Sequence, residues 1–134
     1  MKPNRNLIVM VGLFLVLIFV LAKNPIGYYC DEVTFYYHYN KMCKININNR
    51  SSIPIDRTHN DEYLAIVRGG YKYVPFIIGE MKRDEAMDCA IREITKIDIY
   101  KHYQGQLAGK SIYDLWERWW QENKNVIGVY VPGN

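Results

Sequence analysis

Residues 7–22 read LIVMVGLFLVLIFVLA, without one charge or hydrogen-bonding side chain. A run of this kind has to be covered by protein or by lipid, so it restricts the chain more than any other segment. As a helix it would extend about 24 Å. A bilayer core measures about 30 Å and is usually spanned by about 20 residues, whereas the apolar core of a signal peptide has about 7–15. The run falls between the two. The bulky Phe19 and Leu21 and the lack of a polar stretch before Ala22 favour a retained single-pass anchor, with Tyr28 and Tyr29 at interfacial depth. The alternative is a secreted or periplasmic product cleaved near Ala22. In both readings Lys2 and Arg5 keep the N-terminus cytoplasmic and the C-terminal part is exported.

The formal net charge is +3, and Lys2 and Arg5 supply two of those charges ahead of the run. The rest of the chain is close to neutral. It has room for one small domain, and it lacks the basic footprint that nucleic acid selects, so no nucleic-acid partner is expected. Of the three cysteines, Cys30 and Cys43 are candidates for a disulfide in an oxidising compartment. Cys89 falls among apolar positions and reads as a small buried hydrophobe.

Composition and spacing suggest three parts: residues 1–24 as anchor or signal peptide, 25–58 as an aromatic-rich connecting segment, and 59–134 as a helical domain. Lys23-Asn24-Pro25-Ile26-Gly27 reads as an exit linker. Over residues 31–47 the alternation of Val33, Phe35, Tyr37 and Tyr39 leans to a strand, and a helix over 31–44 is the alternative. Val74, Ile77, Ile78 and Met81 stand at i, i+3, i+4 and i+7, as do Met87, Ala90, Ile91 and Ile94, and Ile112, Leu115, Trp116 and Trp119. Each set is the stripe of a helix that buries one face. With Tyr63, Leu64 and Val67 before Gly69-Gly70, these stripes predict helices over 60–68, 74–83, 85–96 and 112–123. Pro75 suits a first helical turn, and Asp84 and Ser111 are candidate N-caps, Ser111 with Asp114 in a capping-box arrangement. Residues 97–110 read as a loop, and the apolar tail 126–131 as an extended strand.

Four sequence features coincide in this half: Tyr63…Ile66-Val67…Gly69/Gly70, Val74-Pro75-Phe76-Ile77-Ile78, Ala90-Ile91-Arg92-Glu93-Ile94-Thr95 and Leu115-Trp116-Glu117-Arg118-Trp119-Trp120. On them, residues 59–123 resemble a HEAT-like α-helical hairpin module of bacterial proteins. Lys96 stands where that module has a glycine after its Ile-Thr step. The resemblance implies antiparallel helical hairpins and a habit of binding proteins, and it implies no catalytic residues.

The chemistry-bearing residues form no familiar site. His38, His59 and His102 have no metal-ligand spacing, and no metal or other cofactor is expected. Asp98 with His102, and His38 with Cys43, are the nearest approaches to a catalytic pair. Gly105…Gly109-Lys110-Ser111 is one residue short of phosphate-loop spacing. Trp116 and Trp119 belong to a core stripe, whereas Trp120 lies beside it and is the candidate exposed anchor. Tyr36, Tyr37 and Tyr39 are the candidate partner contacts.

The expectation is therefore a mainly α protein, with an N-terminal transmembrane helix followed by a small HEAT-like domain. It would act as a non-enzymatic, membrane-anchored binding or scaffold module outside the cytoplasm, by analogy with small anchored immunity proteins. A small envelope enzyme and a structural subunit of a membrane complex are the alternatives.

Overall fold

The computed structural model describes residues 5–49, 58, 60–106 and 108–129; within the first helix it describes the side chains of 9–14, 16 and 25–46. The described residues are mainly helical and contain no strand. The helices are α1 (Arg5–Asn49), α2 (Asp61–Gly69), α3 (Val74–Met81), α4 (Ala86–Thr95), α5 (Ile99–His102) and α6 (Ile112–Ile127), with a 3₁₀ turn at Gly70–Tyr73 joining α2 to α3. His59 and the end of the expected strand, residues 130–131, lie outside the described residues.

Helix α1 corrects two expectations. It contains 45 residues and continues through Pro25, so Lys23–Gly27 is no linker and residues 31–47 are no strand. Strand propensity in aromatic residues amounts to tenths of a kcal/mol each. A helix already propagating from the apolar run bears no new nucleation cost, and Pro25, which removes one main-chain donor and crowds the carbonyl four residues back, costs about 3 kcal/mol that the packing has to offset. Packing then favours the helix. Phe35, Tyr39, Met42 and Asn46 recur at i, i+4, i+7 and i+11 and are all buried. Up to Asn46, the segment expected to connect two parts is thus a wall of the core.

Phe35 is the hub of that wall. Its ring stacks on Tyr39 at 5.8 Å and on Phe76 at 5.6 Å, and it meets Tyr36 and Tyr73 edge-on at 5.2 and 5.6 Å. Ion pairs fix the direction of α2 along α1. Lys41 Nζ approaches Glu62 Oε1 at 2.5 Å and His38 Nδ1 lies 2.6 Å from Glu62 Oε2, while Lys72 Nζ reaches back to Asp31 Oδ1 at 2.7 Å. Later residues of α2 and its 3₁₀ turn therefore meet earlier residues of α1, which makes the pair antiparallel. Helix α4 lies against α2 and α3, and α6 against α3 and α5.

The helical stripes predicted from spacing appear within a few residues of their expected limits, and the loop 97–110 contains the one-turn α5. Pro75 occupies the first turn of α3. Ser111 and Asp114 form the reciprocal capping box: Ser111 Oγ accepts from Asp114 N at 3.2 Å, and Asp114 Oδ2 accepts from Ser111 N at 2.9 Å. Asp84 is not the N-cap of α4: Glu85 holds that position without a side-chain cap bond, and Asp84, one residue earlier, accepts from Ala86 N at 3.0 Å. Val126 and Ile127 are the last residues of α6 rather than part of a strand, because Gly128 turns left-handed at φ 74° and ends the helix.

Cys30 and Cys43 are free thiols. Both are on α1, thirteen residues and so about 20 Å apart along its axis, well beyond the roughly 7 Å limit between Cα atoms in a disulfide. An intrachain bridge is excluded. Among the described residues, no helix is long and apolar enough to cross a membrane.

Candidate functional site

The four aromatic residues expected to contact a partner fare differently. Trp120 is only 3% exposed. Helices α3 and α5 both pack on α6, so its apolar face is wider than one stripe and takes in Trp120 beside Trp116 and Trp119. Tyr39 is buried against Phe35, and that burial pushes its phenol well above the usual tyrosine value. Tyr36 is half-buried and its hydroxyl donates to Glu80 Oε1 at 3.1 Å; burial first and this bond second raise its pKa. Tyr37 alone is open to solvent, with its ring edge-on to His38 and the Lys41 ammonium 5.1 Å from its centroid.

Tyr37 has company that the sequence reading missed. On the same side of α1 stand Ile26 (60% exposed), Tyr29 (59%), Val33 (71%) and the exposed Cys30, with Tyr37 itself at 58%. Ile26, Tyr29, Cys30 and Val33 line one shallow apolar concavity. Helix α1 therefore has two apolar faces. One holds Phe35 and Met42 in the core, and the other looks away from it. The available signal was the recurrence of 26, 30, 33 and 37 at steps of four, three and four. It was hidden because two apolar stripes on one helix blur each other's period.

Further along, the described side chains Val9, Met10, Val11, Leu13, Phe14 and Val16 are each more than half exposed. Successive residues of a helix are about 100° apart, so these positions are spread around most of its circumference. Nothing among the described residues covers them.

The pairs considered for catalysis are engaged elsewhere. Asp98 caps α5, accepting from Lys101 N at 3.3 Å, and this bond holds its carboxyl below the usual range. His102 packs edge-on against Tyr103 at 4.7 Å. His38 faces Glu62, while Cys43 packs against the core. Ser111 is occupied as a cap. A cleft of about 300 Å³ lies beside Glu85, Asp88, Cys89, Tyr100 and Ile112. Both oxygens of Asp88 are taken, however, one by Trp116 Nε1 and one by Arg92 Nε, each at 2.7 Å. Burial pushes the Cys89 thiol up, away from the thiolate that a nucleophile needs. Among the described residues no group of three His, Cys, Asp or Glu side chains could hold a metal ion. The open apolar face of α1 is thus the surface best suited to a partner.

Comparison of the chain with family models, with characterised proteins and with solved structures gave no match.

Proposed function

We propose that this chain is a membrane-anchored, non-enzymatic binding module: residues 7–22 sit in lipid and the helical bundle is held outside the cytoplasm to engage another protein. The carrying observation is the exposure of Val9, Met10, Val11, Leu13, Phe14 and Val16 around most of α1. A helix that exposes large apolar side chains on most sides, with nothing among the described residues over them, needs an apolar solvent, and leaving that many large side chains in water would cost roughly 1.5–3 kcal/mol each. The positive flank at Lys2 and Arg5 supports a cytoplasmic N-terminus. The HEAT-like reading of residues 59–123 supports binding rather than catalysis, and it stands here as part of the proposal.

The test is fractionation of cells producing the full-length chain. The protein is expected in the membrane pellet after alkaline carbonate extraction, at the full mass of 15.9 kDa. The bundle should be digested by protease added from the outer face. Full-length protein recovered in the high-speed supernatant would overturn the anchor. Digestion only from the cytoplasmic face would overturn the topology.

A further inference from the structure

We propose that the 3₁₀ turn Gly70–Tyr73 is a second membrane contact: with Tyr29 of α1 it stands in the headgroup layer of a zwitterionic phospholipid bilayer, so that the bundle rests on the lipid surface and is not held clear of it. The inference rests on the anchor reading of residues 7–22 and adds what the bundle does beside that anchor.

Helix α1 is the ruler, because it passes unbroken from the apolar run into the bundle. The run is about 24 Å long and a bilayer core about 30 Å thick, so about 6 Å of hydrocarbon extends past its ends. Lys2 and Arg5 place two charges within the six residues before the run, whereas Lys23 is the only charge from Leu7 to Cys30. At the edge of the hydrocarbon a lysine stem is long enough for the charge to reach the headgroups. The surplus hydrocarbon therefore lies beyond Ala22. The headgroup layer, about 5–8 Å deep, then occupies the interval from about 6 to about 13 Å past Ala22 along α1. Tyr29 stands at about 10 Å on this scale and Asp31 at about 13 Å.

The fold brings the turn down to the same level. Because α2 is antiparallel to α1, its last residues and the turn after it lead back toward the apolar run. Lys72 Nζ sits 2.7 Å from Asp31 Oδ1. Nearer still to the run, Phe76 of α3 meets Tyr28, with ring centroids 5.0 Å apart. Within the turn Tyr73 is buried in the core, while Tyr71 and Lys72 are exposed.

The chemistry at this level suits lipid. Tyrosine combines an apolar ring with a polar tip and concentrates at the boundary between membrane and water. Ile26, also exposed, falls at the acyl edge. The Lys72–Asp31 pair presents one charge of each sign, as a phosphocholine headgroup does. Their nearest charged neighbours in sequence, Glu32 and Arg68, balance as well. No basic excess calls for an anionic lipid. A protein covering the open side of α1 would need roughly 800 Å² per partner, and the exposed parts of Ile26, Tyr29, Cys30, Val33 and Tyr37 come only to a few hundred Å². Lipid sets no such minimum, because the contact continues into the apolar run.

Depth measurement on the full-length chain in phosphatidylcholine vesicles tests this. With Cys30→Ser, Cys43→Ser and Cys89→Ser, a nitroxide is attached to single cysteines introduced as Ile26→Cys, Tyr29→Cys, Val33→Cys or Tyr37→Cys along α1. Further samples carry it at Tyr71→Cys or Lys72→Cys in the turn. Lys44→Cys, about 33 Å past Ala22, is the aqueous reference. The ratio of oxygen to nickel-chelate collision rates should fall stepwise from position 26 to 37. The two turn positions should fall between Tyr29→Cys and Val33→Cys, several-fold above Lys44→Cys, and Leu64→Cys, near the start of α2, should match Lys44→Cys. Molar salt should change none of these values. Aqueous values at both turn positions, with the α1 profile intact, overturn the contact and leave the anchor standing. Labels in the turn that are immobile and shielded from both reagents overturn it in favour of a protein neighbour. A Leu64→Cys value as deep as that of the turn overturns the upright bundle. Loss of the turn's depth in molar salt overturns the zwitterionic contact. A chain left in the supernatant when the vesicles are pelleted overturns the anchor, and the contact with it.

Discussion

Gly69 and Gly70 end α2 together, yet each is glycine for a different reason. A Cβ on Gly69 would lie 2.0 Å from Tyr73 Cδ2, and that ring is held between Phe35 and Phe76 and has little freedom to yield. Gly70 adopts φ 66°, ψ −151°, a region essentially closed to side-chain-bearing residues. Lys96, after α4, is the opposite case. It is a lysine in the left-handed conformation at φ 60°, ψ 22°, where glycine would meet no steric penalty. The two sites should therefore respond with opposite sign in thermal melts of the full chain. Gly70→Ala is expected to destabilise by about 1–3 kcal/mol, and Lys96→Gly to stabilise by up to about 1 kcal/mol, the steric relief being partly offset by the extra freedom of glycine in the unfolded chain. A stabilising Gly70→Ala, or a destabilising Lys96→Gly, would contradict this account of the two turns.

At the scale of elements, the clasp between α1 and α2 converges on Glu62. The hydrogen bond from Lys41, then that from His38, holds its carboxyl below the usual range. A depressed carboxyl adds stability above its unfolded value and loses it as pH falls through the folded one. Glu62→Gln should accordingly lower the melting temperature near neutral pH, and the gap from the native chain should close on acidification below about pH 4.3. A gap that persists unchanged into acid would mean that the carboxylate's charge contributes nothing to the clasp. Much of this architecture was legible in the residues. Val74-Pro75, the Ser111–Asp114 pair and the stripe ending at Trp119 are local signals, because capping and helical period depend on neighbours a few positions away. The fate of residues 25–47 was not legible. Pro25 and Gly27 resemble a break, and the alternating aromatics resemble a strand, until Phe76 and Tyr73 arrive from another helix to select one face. Trp120 misled for the same reason: its burial depends on two helices packing on α6, which no local spacing records. Of the candidate surface, Tyr37 was foreseen, and Ile26, Tyr29 and Val33 were not.

For the whole molecule, the decisive feature is that no loop interrupts α1 between the apolar run and the core. The bundle has no swivel. Its rotational phase about the long axis is fixed by counting residues, about 100° for each one. A chain built in this way behaves as a keyed shaft: any twist imposed at its apolar end is delivered to the domain at the other, and the direction in which that domain faces its surroundings is set by the rotation of that end.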